Sequence, residues 1–171
     1  MKPALFMSQT GEWYTPKWVI DKVSHVLDGI DLDPASNAIA QEIVQARHWC
    51  GFDHPDPAMR DGLAIDWSPY RSIYVNPPYG RAIVPFVQKI ARYAQDKQMA
   101  VLVAARTDTR WWRMLTQHDH TVVFFRNRIS FWTIREDIAR RSTFPSVLLC
   151  YHCDLDRIRD LFSDQVIYRP V

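Results

Sequence analysis

Apolar positions return at two different periods along this chain, and the period switches several times. From Pro16 to Leu27 (PKWVIDKVSHVL), Trp18, Val19, Val23, Val26 and Leu27 recur at helical spacing. The pattern predicts a helix with Thr15 as its N-cap, Pro16 at its first position and Gly29 just past its end. A short strand, Ile30 to Asp33, and a second helix, Asn37 to Arg47, are predicted next. His48 to Asp61 carries two prolines and a glycine and reads as loop, and Leu63 to Ile65 as a short strand. Ser72 to Val75 (SIYV) is a strand running straight into Asn76, and Ile83 to Ala94 is an amphipathic helix. Met99 to Ala105 (MAVLVAA) is almost wholly apolar, as a central parallel strand covered on both faces requires. A helix over Thr109 to Gln117 and strands at Thr121 to Phe125 and Val147 to Tyr151 complete the reading. Strands alternating with helices predict a doubly wound α/β sheet, whose ligands bind at the carboxyl ends of the strands. No repeat or linker divides the chain, so residues 1–171 are expected to form a single domain.

The chemistry is therefore sought just after each strand, and one such segment stands out. Asn76-Pro77-Pro78-Tyr79-Gly80 follows directly on SIYV. Two successive prolines fix two φ angles and remove two N–H donors. Carbonyl oxygens and the Asn76 side chain are left on a rigid edge beside an aromatic ring. Such an edge suits a planar amine: the Asn76 side-chain oxygen and the Pro77 carbonyl can accept its two hydrogens and localise its lone pair. Tyr79 can stack on the attached ring. Catalysis of this kind rests on positioning and electrostatics. A proline-stiffened strand-to-helix turn is the plainer reading of the same residues.

The segment resembles the NPPY signature of amino-group DNA methyltransferases. The wider pattern is similar to the phage-type DNA N6-adenine methyltransferases, the Dam family of phages. Its parts are Trp13-Tyr14-Thr15-Pro16, Asp31-Leu32-Asp33-Pro34-Ala35-Ser36, Asp61-Gly62-Leu63 with Trp67, the NPPYG run and Ala105-Arg106-Thr107-Asp108-Thr109 with Trp111 and Trp112. Arg128-Ile129 with Phe131, and Phe144-Pro145-Ser146, complete it, so the resemblance runs from Glu12 to about Ser146. It implies a Rossmann-like methyltransferase domain with no separate target-recognition domain. The implied reaction moves a methyl group from S-adenosylmethionine to N6 of adenine in DNA, with Asn76, Pro77, Pro78 and Tyr79 catalytic.

The same resemblance implies a cofactor site. Asp33 ends a strand before a helix, where its carboxylate can meet the charged methionine end of the cofactor; the rival reading is a cap for that helix. This chain has Asp33-Pro34-Ala35-Ser36 where larger methyltransferases have a glycine-rich loop. Tyr14, Thr15 and Pro16 resemble the segment that lies over the cofactor carboxylate, at a helix start suited to anions. Asp61, Gly62 and Leu63 are expected near the cofactor adenine, with Asp66 a rival for the acidic role.

Composition adds a candidate DNA face. With 47% hydrophobic and 23% charged residues, the 171-residue chain can bury a core, and its net charge of +2 predicts no particular partner. The average conceals an asymmetry: Arg106 to Arg141 holds eight Arg against four acids, a net +4, leaving −2 for the rest. Trp111, Trp112, Phe124, Phe125, Phe131 and Trp132 interleave with those arginines. Arginines for phosphates and rings for stacking are how a surface holds unstacked nucleic acid, and a base must leave the duplex to be modified. Arg126, Arg128, Arg140 and Arg141 are the candidate phosphate contacts. Phe131 or Trp132 could face Tyr79 across the base, and Arg106 and Asp108 belong at the site, unless they pair internally.

Three cysteines are too few for a disulfide framework and point to a reducing cytoplasm, that of a bacterial host if the gene is phage-borne. No apolar run approaches the roughly 18–20 residues that span a bilayer, and the first residues do not read as a secretory signal. Cys150, His152 and Cys153, with His48, Cys50 and His54, only imitate a zinc pattern, and no metal is expected. Two other functions remain open: methylation of cytosine N4 or of an RNA or protein amine, and a catalytically silent nucleic-acid-binding module.

Overall fold

A computed structural model describes residues 13–132 and 140–170. Its first helix, α1 (Lys17–Leu27), starts where Pro16 is extended and its carbonyl takes the N–H groups of Val19 and Ile20. It ends where Asp28 and Gly29 turn left-handed, at φ 54° and 93°. Their N–H groups return to the carbonyls of His25 and Ser24. The N-cap is thus Pro16; Thr15, expected in that place, has turned its hydroxyl elsewhere. Trp18, expected on the buried stripe, is 45% exposed, whereas Val19, Ile20, Val23, Val26 and Leu27 are buried.

Strand β1 (Leu32–Asp33) leads to α2 (Ala38–Val44). Asn37 caps α2 by accepting the Ala40 N–H at 2.8 Å, and Gln45 ends it in a left-handed conformation, short of the predicted Arg47. The supposed loop then begins with a strand, β2 (His48–Trp49), parallel to β1. Next come β3 (Ser72–Val75), α3 (Ile83–Tyr93), β4 (Gln98–Ala104), α4 (Arg110–Leu115) and β5 (Thr121–Phe124). All five lie within a residue or two of their predicted limits. Beyond them are β6 (Ser130–Phe131), β7 (Arg140–Arg141), β8 (Ser146–Tyr151), α5 (Leu155–Leu161) and β9 (Val166–Tyr168). Of these only β8 is legible in the apolar pattern.

The result is a mixed α/β structure around an open seven-stranded sheet, ordered β2-β1-β3-β4-β8-β5-β9. Strands β2, β1, β3 and β4 run parallel. Strand β8 inserts antiparallel between β4 and β5, and β9 is antiparallel to β5. Strands β6 and β7 form a separate antiparallel pair. Alternation along the central strands divides the core into two layers. Ile73, Val75, Met99, Val101 and Val103 face α3 and α4, while Tyr74, Ala100 and Leu102 face α1, α2 and α5. Met99 to Ala104 are almost wholly buried, so β4 can carry polar chemistry only at its ends.

The predicted strand at Leu63–Ile65 is instead a turn. The carbonyls of Gly62, Leu63 and Ile65 converge on the Lys89 ammonium, and the Trp67 indole donates to the Gly62 carbonyl at 2.8 Å. Carbonyls of near-successive residues turned onto one cation do not alternate in direction as those of a strand do. This turn presses against the loop after β1. A Cβ on Gly62 would stand 1.9 Å from the Pro34 carbonyl oxygen, and one on Gly51 would stand 2.2 Å from that of Ser36. Both glycines are needed for close approach. Gly62→Ala should therefore lower unfolding stability by about 1–3 kcal/mol in urea titration, and an unchanged midpoint would show that the loop yields freely.

Candidate active site

The parallel strands end on one edge of the sheet, and the sequence-predicted residues gather there. Leu32 is in register with Ile73, which sets Asp33 at the end of β1 beside the last residues of β3, just before Asn76. Asp33 is only 3% exposed. Its carboxylate accepts the Ala35 N–H at 3.2 Å and the Gln41 amide at 3.0 Å. Gln41 also donates to the Ser36 hydroxyl at 2.7 Å. Among the described residues no cation lies within ion-pair reach of Asp33. Burial pushes its carboxyl up to about 6, against the opposing bonds from Ser36, Ala35 and Gln41. Asn37, not Asp33, caps α2.

Tyr14 is buried and pairs through its backbone with Trp132, in both directions, at 2.8 and 3.0 Å. Its hydroxyl accepts the Asn37 amide at 3.2 Å, and its ring lies 5.4 Å from that of Trp132. Thr15, 6% exposed, shares a hydrogen bond of 2.8 Å with the Tyr74 hydroxyl. The Asn76 amide nitrogen donates to the Thr15 hydroxyl oxygen at 3.3 Å. The start of α1 and the end of β3 are thus joined by side chains.

Pro77 is buried, while Pro78 and Tyr79 stand at the surface. The Tyr79 side chain is 49% exposed, but its hydroxyl end is covered near the Ala104 backbone. Burial pushes this phenol up to about 12, with the Ala104 backbone and the Arg106 guanidinium pulling the other way. Arg106 also lies over the Phe144 ring, 4.0 Å from its centroid. Asp108 is exposed and makes no ion pair among the described residues, so the internal Arg106–Asp108 pair does not form.

Asp61 and Asp66 occupy different settings. Asp61 accepts the Leu63 N–H at 2.8 Å in the turn packed on Pro34. Asp66 is engaged by the Ser68 hydroxyl, the Tyr93 hydroxyl and the Ser68 N–H, which hold its carboxyl well below the usual range.

The basic segment is less unified than its charge suggests. Arg126 is exposed and donates to the Asp164 carbonyl at 3.0 Å; Arg128 braces the carbonyls of Ser142 and Thr143. Phe131, a candidate wall for a base, is 7% exposed and packs edge-on against Trp13 at 6.1 Å, so its ring belongs to the core. Trp132 is half-buried against Tyr14. Arg140 and Arg141 form β7, described in their backbone; Glu12, Arg135, Glu136 and Asp137 lie outside the described residues.

Gln41, Asn37, Tyr74 and Lys89 are the contributors that the sequence reading missed. Tyr74 alone had a signal: it is the polar-tipped ring two positions before Asn76 in an otherwise apolar strand. The assembled edge offers amide and carbonyl acceptors at Asn76 and Pro77, an open aromatic ring, and a buried carboxylate with no cation partner among the described residues. That set can hold a planar amine next to a positively charged ligand. A family model described as DNA N-6-adenine-methyltransferase (Dam) matches residues 4–152. No curated protein matches the chain.

Asp33 keeps its proton to a higher pH folded than unfolded. The stability it contributes is fully present below its ordinary value of 3.8 and is lost as pH rises through about 6. Asp33→Asn should flatten this fall in the ligand-free protein and raise its melting temperature at pH 8 relative to wild type. A parallel decline in both proteins, followed by thermal denaturation from pH 4 to 8, would exclude the assignment.

Proposed function

The chain belongs to the DNA N-6-adenine-methyltransferase (Dam) family, and from that premise we propose how the residues at the carboxyl edge of its sheet divide the work. The enzyme is S-adenosylmethionine-dependent and methylates N6 of adenine in DNA. The residues of this chain fit such a cofactor: a buried carboxylate with no cation partner among the described residues suits the ammonium of a methionine tail. Asp33 would meet that ammonium, and Pro34, Ala35 and Ser36 would shape the floor beneath it. Tyr14, Thr15 and Pro16 would border the carboxylate side. Asp61, Gly62 and Leu63 would lie along the adenosine, a role favoured over Asp66 because the Asp66 oxygens are engaged by Ser68 and Tyr93.

When bound, the cofactor supplies an electrophilic methyl group. The exocyclic nitrogen of adenine is a poor nucleophile because its lone pair is delocalised into the ring. The Asn76 side-chain oxygen and the Pro77 carbonyl would accept its two hydrogens and draw it towards tetrahedral geometry. Pro78 stiffens the edge, and Tyr79 stacks on the base. These groups act by holding position and charge, with no general base among them.

The DNA face is proposed to run from Arg106 and Asp108 to Trp132, with Arg126, Arg128, Arg140 and Arg141 along the phosphates; Phe131 supports this face from the core. Residues 1–171 are read as one Rossmann-like, doubly wound methyltransferase domain. The reversal of strand order at β1, with β2 on one side and β3 on the other, supports this reading, as does helical cover on both faces. Action on DNA and the three free cysteines support a cytoplasmic location. Among the described residues no helix is long and apolar enough to cross a membrane.

The observation that carries this division of roles is the placement of Asn76 and Pro77 one strand away from Asp33. Asn76→Ala should abolish transfer to DNA while leaving cofactor affinity within about threefold, measured with labelled cofactor and by calorimetry. Digestion of the wild-type product to nucleosides should yield label in N6-methyladenine; label in N4-methylcytosine, or collapse of cofactor binding in the variant, would overturn the assignment. Replacing Arg140 and Arg141 together by Ala should reduce the slope of log affinity for DNA against log salt by about two. An unaltered slope would remove β7 from the DNA face.

A further inference from the structure

The chain Tyr74–Thr15–Asn76 joins a buried strand residue to the residue assigned to the substrate amine, and the proposed reaction gives its innermost member, Tyr74, no part. Tyr74 is 1% exposed and faces the α1 layer of the core. Its hydroxyl meets that of Thr15 at 2.8 Å. Thr15 is held by its place between the Tyr14–Trp132 backbone pairing and the first turn of α1. Its oxygen in turn receives the Asn76 amide nitrogen at 3.3 Å.

A carboxamide has two unlike ends of nearly the same shape. One is an acceptor and the other a double donor. Only one way round works for an amine: the oxygen must face the substrate and the nitrogen must face the protein. The reversed amide would set N–H against N–H. We propose that Tyr74 and Thr15 are positioning residues that fix the Asn76 carboxamide the productive way round: the Thr15 proton is committed to the Tyr74 oxygen, so Thr15 faces Asn76 as an acceptor and takes its nitrogen. The proposal rests on the assignment of Asn76 to the substrate amine. Thr15 acts here through Asn76, in addition to any part it has along the cofactor.

The length of the chain suits this task. Thr15 is a short β-branched side chain in a buried setting, with little rotamer freedom. The Tyr74 ring is clamped in the core. Neither can follow Asn76 if it turns, so the acceptor stays where the backbone puts it.

The test is a set of steady-state measurements with duplex DNA and S-adenosylmethionine. Thr15→Val keeps the shape and removes the hydroxyl. It should lower kcat, read at saturating cofactor so that any change in cofactor binding is separated, by about 10- to 100-fold, the scale of a misplaced reacting group. Thr15→Ser restores the hydroxyl and should recover most of that loss. Tyr74→Phe should lower kcat in the same direction, and the double variant should be no worse than Thr15→Val alone, because both act through one chain. The decisive comparison uses Asn76→Asp, whose carboxylate has acceptors at both ends and therefore no wrong way round. In that background Thr15→Val should cost less than about threefold.

An equal penalty for Thr15→Val in the wild-type and Asn76→Asp backgrounds would overturn the proposal and leave Thr15 a general support of the fold. So would a Thr15→Val loss that appears wholly as weaker cofactor binding. The two readings fail separately: activity surviving Asn76→Ala removes the assignment of the amine, whereas loss at Asn76→Ala with full activity in Thr15→Val removes only the orienting role.

Discussion

Burial of both faces of the central strands is the constraint on which the rest of this molecule depends. Along β3 and β4 nearly every side chain is enclosed by helices on one side or the other. No polar group can be used there without a partner, so chemistry is displaced to the strand ends. The ends of β1, β3 and β4 supply Asp33, Asn76 and Arg106 in that spatial order, and the approach of β1 to β3 brings the first two together. The one ring that breaks the apolar rule, Tyr74, is also the one whose hydroxyl reaches out towards that edge.

The loop after β1 shows how a segment without glycine can still be approached closely. Asp33-Pro34-Ala35-Ser36 carries no glycine of its own, yet Gly51 and Gly62 bring neighbouring backbones against its Ser36 and Pro34 carbonyls. The small residues belong to the partners of the loop. Lys89 and Trp67 then fix the turn that holds Gly62, so a lysine and a tryptophan far along the chain set how closely that turn approaches Pro34. Among the described residues Asp33 is bonded in this enclosure by neutral groups, Ser36, Ala35 and Gln41, and burial makes it costly to ionise.

How much of this was legible in the sequence differs by element, for physical reasons. Helix α3 and strands β3, β4 and β5 were readable because their apolar periods are strong and their cores are continuous. Strand β2 was not, since it is an edge strand of two residues with polar neighbours, and its prolines and glycine follow immediately. Strands β6 and β7 are equally short, and β9 is only one residue longer. The turn at Leu63–Ile65 read as strand because apolar alternation cannot reveal that a distant Lys89 gathers its carbonyls. The run Asn76–Gly80 stands out in the sequence through its order of residues. The hydrogen-bonding supports do not, because Thr15 with Tyr74, and Asn37 with Tyr14, are joined only by the folded chain. Phe131 illustrates the converse: interleaving with arginines suggested an exposed ring, but packing against Trp13 encloses it.

The antiparallel course of β8 has a consequence for how this enzyme can change. Phe124, at the end of β5, is in register with Val147, near the start of β8. The chain between them therefore departs and returns at the same rim, beside Tyr79 and Arg106, with its two anchor points one strand spacing apart. The entropy of closing such an excursion grows only slowly with its length. This excursion is moored along the way: Ile129 and Phe131 are buried in the core, and Trp132 pairs through its backbone with Tyr14. A change made in it is therefore felt at the start of α1, where Thr15 follows Tyr14, as well as at the rim.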